Sequence, residues 1–154
     1  MTTHTRVLIV ANRTAATGAL VSAVQRWAES EPAKFHLLVP AVPHGLHRMV
    51  DPEVHGAAEA RARMEAALPR LTAAAGSEVT GEVGAADPIG AIHDALYAQP
   101  FDQIIVSTLP RRASRWLHID LPSKARGFGL PVTHVAAGRE ITEPEPELAA
   151  AATG

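Results

Sequence analysis

The sequence contains no cysteine, which excludes disulfide staples, thiolate nucleophiles and cysteine metal ligands, and leaves the redox compartment unread. Aromatic residues make up only 4% of the chain, while alanine is abundant, so helices must pack closely through small side chains. Neither sign of charge dominates. A formal charge of −2 gives no general pull toward nucleic acid or an anionic membrane. No apolar run approaches the ~20 residues of a membrane span, and no signal-type apolar segment precedes the first strand-like run. The expectation is a soluble, cytoplasmic protein. Its 154 residues suit one domain, and a chain of this size buries roughly 70% of its unfolded surface without a metal or disulfide.

What is present is an alternation of apolar runs and helical periodicities. Arg6–Ala11 (RVLIVA) is continuous and β-branched, as suits a parallel strand covered on both faces. Thr14 is placed to cap a following helix, whose buried face is Ala16, Leu20, Val24 and Trp27. Phe35–Ala41 (FHLLVPA) is a second strand, with Pro40 near its end because proline denies the ladder a donor. His44–His55 reads as a loop. Ala57–Ala75 reads as a helix that Pro69 should kink or split. Ser77–Val83, with Gly81 inside it, suits an edge strand. Asp87-Pro88 is a helix start, with Asp as cap and Pro in the first turn, and Ile89, Ile92 and Leu96 face inward. Gln103–Val106 and Pro131–Ala136 are the last two strands. From Gly138 the chain is acidic, proline-containing and alanine-rich, which suits a disordered tail over 138–154. Such alternation predicts an α/β domain over 1–137, with a mostly parallel five-stranded sheet and helices on both faces.

The segment between the last two strands carries the most chemistry. Ser107, Thr108 and Ser114 supply hydroxyls, and Arg111, Arg112 and Arg115 lie within five residues. In an open α/β sheet, ligands sit just past the carboxyl ends of strands. Arginine forks and hydroxyls there suit a phosphate or carboxylate. The competing reading is a solvated loop whose arginines pair with Asp120 or with glutamates. Trp116 either stacks on a base or buries a helical turn on the sheet, and the area a tryptophan covers favours burial. His44, His47, Asp51, Glu53 and His55 are ligand-type residues, but their spacing is not that of a structural zinc site. A loop covering the crevice suits them better, and no metal site is assigned.

In order and spacing, RVLIVANRT, FHLLV, GEVGAADPIGAI, FDQIIVSTLP and LPVTHVAA resemble the universal stress protein family across about residues 5–137. The resemblance implies a Rossmann-like fold with strand order 3-2-1-4-5. It also implies a stress-response or regulatory role, a homodimer formed through Pro131–Ala136, and ATP or AMP as candidate ligands. In ATP-binding members an aspartate at the end of the first strand meets adenosine. Asn12 stands there in this sequence, keeping an acceptor, adding donors and losing the charge. The family's phosphate loop has a glycine pair, then Gly-Ser or Gly-Thr. The equivalent places here hold Ser107 and Pro110, then Asp120 and Leu121, with the spacing kept. Glycine lets backbone amides approach phosphate without a Cβ in the way, and Pro110 removes one amide outright.

Two readings follow. In the first, the chain is a non-catalytic module that binds an adenine nucleotide or another phosphorylated small molecule. Asn12 and backbone at Val39–Ala41 meet the base or sugar, Ser107, Thr108, Arg111 and Arg112 hold the anion, and Arg13, Thr14 and Ser114 are further binding residues. In the second, it is a ligand-free homodimeric interaction protein of the branch that does not bind ATP. No GxxxxGK[ST], GxGxxG or GxSxG motif points to a reaction. His134, in the last strand, falls at or near the expected dimer seam.

Overall fold

The computed structural model of the chain describes residues 3–41, 52–110 and 114–137, with 52–55 described by backbone alone. The elements run β1 (Thr5–Val10), α1 (Gly18–Ser30), β2 (Ala33–Pro40), α2 (Pro52–Ala75), β3 (Thr80–Gly84), α3 (Pro88–Ala98), β4 (Gln103–Thr108), α4 (Arg115–His118), α5 (Leu121–Arg126) and β5 (Val132–Ala136). The five strands form one sheet in the order β3-β2-β1-β4-β5, and every pair is parallel. This is the expected order and the expected fold class. The strands lie in register so that Val10 pairs with both Leu38 of β2 and Val106 of β4.

The period-two geometry of a strand explains why the apolar runs are unbroken. Val7 and Ile9 face one side of the sheet with Phe35, Leu37, Val39 and Ile105, under Leu20 and Val24 of α1 and Ala60, Met64, Ala67 and Leu71 of α2. Leu8 and Val10 face the other side with Leu38, Ile104 and Val106, under Ala91, Ile92 and Ala95 of α3 and Leu121 and Ala125 of α5. Alanine recurs on the helix side of both layers (Ala60 and Ala67 in one, Ala91, Ala95 and Ala125 in the other), which helps a chain poor in aromatics close its core. Gly84 shows how tight the fit is. A Cβ there would come within 2.7 Å of a Leu38 methyl and 2.9 Å of the Ala91 Cβ.

Four local expectations need correction. Thr14 does not cap α1. The backbone after β1 first turns on itself (Ala15 N–H to Asn12 O, Thr17 N–H to Thr14 O), so the helix begins later and the Thr17 side chain accepts from the Leu20 amide. Pro69 neither ends nor splits α2; it sits exposed on the outer side of one continuous helix, whose buried residues flank it before and after. That helix starts at Pro52, so Glu53 and His55 belong to it and not to a loop. Ser107 and Thr108 are strand residues, paired with Val135 and Ala136 of β5. By contrast, Asp87 accepts from the Gly90 amide with Pro88 at the helix start, as the sequence predicts. His44, His47, Asp51 and the tail after Ala137 lie outside the described residues. No helix among the described residues is long and apolar enough to cross a membrane.

Candidate functional site

β1 is the central strand and β4 its parallel neighbour, and their chains leave the sheet at neighbouring points. The turn after Ala11 therefore meets the end of β4. The meeting point is the topological switch of the sheet, where β2 and β3 lie to one side of β1 and β4 and β5 to the other. A cavity of about 210 Å³ opens there. Its polar lining is Asn12, Thr14, Ser107, Thr108 and Ser114, all buried. Arg13 and Arg115, both exposed, stand at its rim. Ala86, Pro88, Leu109, Trp116 and Ile119 supply the apolar wall. Among the described lining residues there is no carboxylate.

The polar groups are largely committed to one another. The hydroxyls of Thr14 and Ser107 share a hydrogen bond of 2.6 Å across the switch point. Thr108 Oγ1 lies 2.8 Å from His134 Nε2 on β5. Ser114 caps α4 by accepting from the Leu117 amide at 3.1 Å. Asn12 is only 6% exposed, and its amide is held at both ends: Nδ2 donates to the Pro40 carbonyl at 2.6 Å, and Oδ1 accepts from the Arg63 guanidinium. Pro40 is the last residue of β2, and its carbonyl takes the asparagine donor there. Burial draws the Arg63 guanidinium below its usual range. Glu59 opposes that shift and Arg13 adds to it. A second arginine of α2, Arg70, donates to the Ala16 carbonyl. Arg63 and Arg70 thus tie α2 to the turn after β1.

Of the residues singled out from sequence, Asn12, Arg13, Thr14, Ser107, Thr108 and Ser114 come together around this cavity. Val39 does not line it. Its side chain is fully buried in the layer under α1 and α2, because position 39 falls on the core side of β2. Arg111 and Arg112 lie outside the described residues. Trp116 does both things considered for it: it packs against the layer that holds Leu121 and Ala125, and it walls the cavity. Asp120 adopts left-handed backbone geometry (φ 55°, ψ 49°) and is exposed, away from the lining. Sequence reasoning missed Arg63, Arg70 and the Thr108–His134 pair. The seven-residue spacing of Arg63 and Arg70, which puts them on one side of α2, was the available signal. Among the described residues no group of three or more histidines and carboxylates is placed to hold a metal ion.

No protein-family model matches this sequence. No curated protein matches it either. Solved structures do. A universal stress protein from Archaeoglobus fulgidus is 14% identical and superposes with a TM-score of 0.58, covering 86% of this chain and 93% of that one. The structure of the A. fulgidus universal stress protein in complex with dAMP is 17% identical, with a TM-score of 0.53 and coverage of 88% and 99%. The universal stress protein UspA from Lactobacillus plantarum is 14% identical, with a TM-score of 0.55 and coverage of 86% and 97%. The strand order, the parallel pairing and these superpositions agree: the chain has the Rossmann-like fold of the universal stress proteins.

Proposed function

We propose that the chain is a non-catalytic stress-response module of the cytoplasm that binds a phosphorylated small molecule in the cavity at the β1 and β4 ends. One observation carries this reading. Two arginines and four hydroxyl side chains gather, with no carboxylate among the described residues, around a hollow at the position where open α/β sheets take ligands. Arg13 and Arg115 supply charge. Thr14, Ser107, Thr108 and Ser114 supply short, fixed hydroxyls that suit phosphate oxygens. Arg111 and Arg112, from the same segment, are further candidates for the anion. That a structural neighbour is described in complex with dAMP makes adenine nucleotides the first compounds to try.

A triphosphate held by backbone amides does not fit these residues. Pro110 has no N–H, and Ser107 and Thr108 belong to the strand paired with β5. The phosphate is therefore held by side chains. Thermal shift and native mass spectrometry with ATP, AMP, cyclic nucleotides and inorganic phosphate test the proposal. Ligand at about 100 times its Kd adds about 2.7 kcal/mol of stability. Arg111→Ala combined with Arg112→Ala should weaken that response; an unchanged affinity would remove both from the anion site.

A second reading has its own support. The Thr14–Ser107 bond and the double clasp on Asn12 satisfy these side chains from within, as in a protein that works by association alone. β5 is an edge strand with Thr133, His134 and Ala136 exposed, and it offers a surface for a second copy. A flat thermal-shift panel together with a dimer in analytical ultracentrifugation would favour this reading.

A further inference from the structure

We infer that the acidic segment from Glu140 to Glu147 is the cavity's internal occupant, its glutamates pairing with the arginines at the rim, so that an outside anion binds by displacing it. This rests on reading the cavity as an anion site and names how that site is regulated.

Charge, sequence and position converge on this. Arg13 and Arg115 are exposed at the rim. Among the described residues the lining holds no carboxylate, and no ion pair engages either guanidinium. Arg63 is close enough to Arg13 for their charges to oppose each other, with Glu59 offsetting part of that field. Residues 138–154 hold Glu140, Glu143, Glu145 and Glu147 against one basic residue, Arg139, for a formal charge of −3. The whole chain carries −2, so everything before Gly138 carries +1. Ile141 and Leu148 accompany the glutamates, and such apolar side chains suit the wall of Leu109, Trp116 and Ile119. All five strands are parallel, so β5 ends at the same edge of the sheet as β1 and β4. Ala136 pairs with Thr108, and the Ala137 amide donates to the Thr108 carbonyl at 2.8 Å. Thr108 lines the cavity, so the chain leaves β5 beside it. Glu140 and Glu143 stand three and six residues after Ala137, within reach of about 10 and about 20 Å of extended chain.

Tethering makes a modest contact effective. A segment on a short link meets its site at an effective concentration of roughly millimolar. Arginine donates to a carboxylate in a charge-assisted, often bidentate pair. At an exposed rim that pair is weakened by salt.

The chain has no cysteine, so Ala150→Cys introduces a single thiol for a nitroxide label on the full-length protein. In NMR spectra of the isotope-enriched, labelled chain, the amides of Arg13, Ser114 and Arg115 should broaden at low salt. They should recover at about 1 M salt, where the screening length falls to about 3 Å. Glu140→Gln, Glu143→Gln, Glu145→Gln and Glu147→Gln, combined in the same labelled chain, should remove about half of that broadening or more, whereas proximity through the tether alone would survive them. In titration calorimetry inorganic phosphate should bind the glutamine variant about threefold more tightly than the unaltered chain. Equal broadening in the two chains would overturn this inference, as would equal phosphate affinity, and measured phosphate binding would then leave the anion site standing. Broadening that passes from a labelled chain to an unlabelled, isotope-enriched one would place the segment on a second copy and overturn it too. Charge-dependent broadening with no phosphate binding by either chain would support the internal occupant and overturn the reading of an outside ligand.

Discussion

The turn that follows β1 has two flanks, and they are finished in opposite ways. Toward β2 it is sealed: Asn12 is clasped by the Pro40 carbonyl and Arg63, and Arg70 holds the Ala16 carbonyl just beyond. Toward β4 it is hollow: Thr14 and Ser107 bridge the gap at its floor, and Arg13, Arg115 and Trp116 stand around an open cavity. Both flanks are polar. What differs is where the partners come from. On the sealed side the chain supplies partners for both ends of the amide, so little is left for a ligand. On the hollow side the arginines face solvent and the hydroxyls keep hydrogens to spare. Capacity to bind lies in this surplus and not in polarity itself.

The largest expected effect breaks the sealed flank. Asn12→Leu leaves the Pro40 carbonyl and the Arg63 guanidinium without their partner in a nearly buried position. The lost donor should cost about 1–3 kcal/mol, seen as a lower urea midpoint with an unchanged slope. A variant as stable as the wild type would mean that the clasp on Pro40 does not hold. On the hollow flank the same logic predicts the opposite pattern. Arg115→Ala removes an exposed cation at the rim, so phosphate affinity should fall about 10-fold, or about 1.4 kcal/mol, while the urea midpoint stays put. If stability falls and affinity does not, Arg115 belongs to the fold and not to the site.

A smaller effect concerns the histidine behind Thr108. Partial desolvation of the ring, one side of which meets Thr108, comes first and the nearby Arg126 second in holding the His134 imidazole below its ordinary value of 6.5. The unfolded chain therefore takes up this proton first as pH falls. The contribution of His134 to stability is complete above about pH 6.5 and is lost as pH drops through that value toward the lower native one. His134→Gln keeps a side-chain partner for Thr108 and should flatten the acid-side fall of the melting temperature between about pH 7 and pH 5. An identical pH profile for the variant would show that other groups govern the decline. The smallest effect is at Asp120, whose left-handed backbone suits glycine better and whose side chain makes no cap bond. Asp120→Gly relieves that geometry at some cost in chain entropy, for a net gain of about 0.5 kcal/mol. A melting temperature lower than that of the wild type would show that the carboxylate contributes something the backbone argument omits.

The legibility of these features follows their physical range. The strands were readable because burial on both faces leaves a continuous β-branched run, as in RVLIVA and QIIV. The cap at Asp87 was readable because its partners lie within one helical turn. Thr14 was misread for a matching reason. A threonine before a helix looks like a cap, but its hydroxyl finds Ser107, 93 positions away. Pro69 was misread because its local cost is outweighed by apolar residues that seat α2 on either side of it. Arg63 could not have been linked to Asn12 at all. Nothing in a helical arginine says which loop its side chain will reach.

By itself the sequence determined the alternation of strands and helices, the two buried layers, and the kinds of groups gathered after β1 and β4. These depend on periodicity and composition, which each segment carries locally. Only the tertiary structure decided which polar groups satisfy one another and which keep a surplus, because hydrogen-bond partners are assigned by positions in space. The same asparagine, hydroxyls and arginines could have made a solvated surface. Packed against Pro40 and α2 on one side and open on the other, they make one closed seam and one cavity.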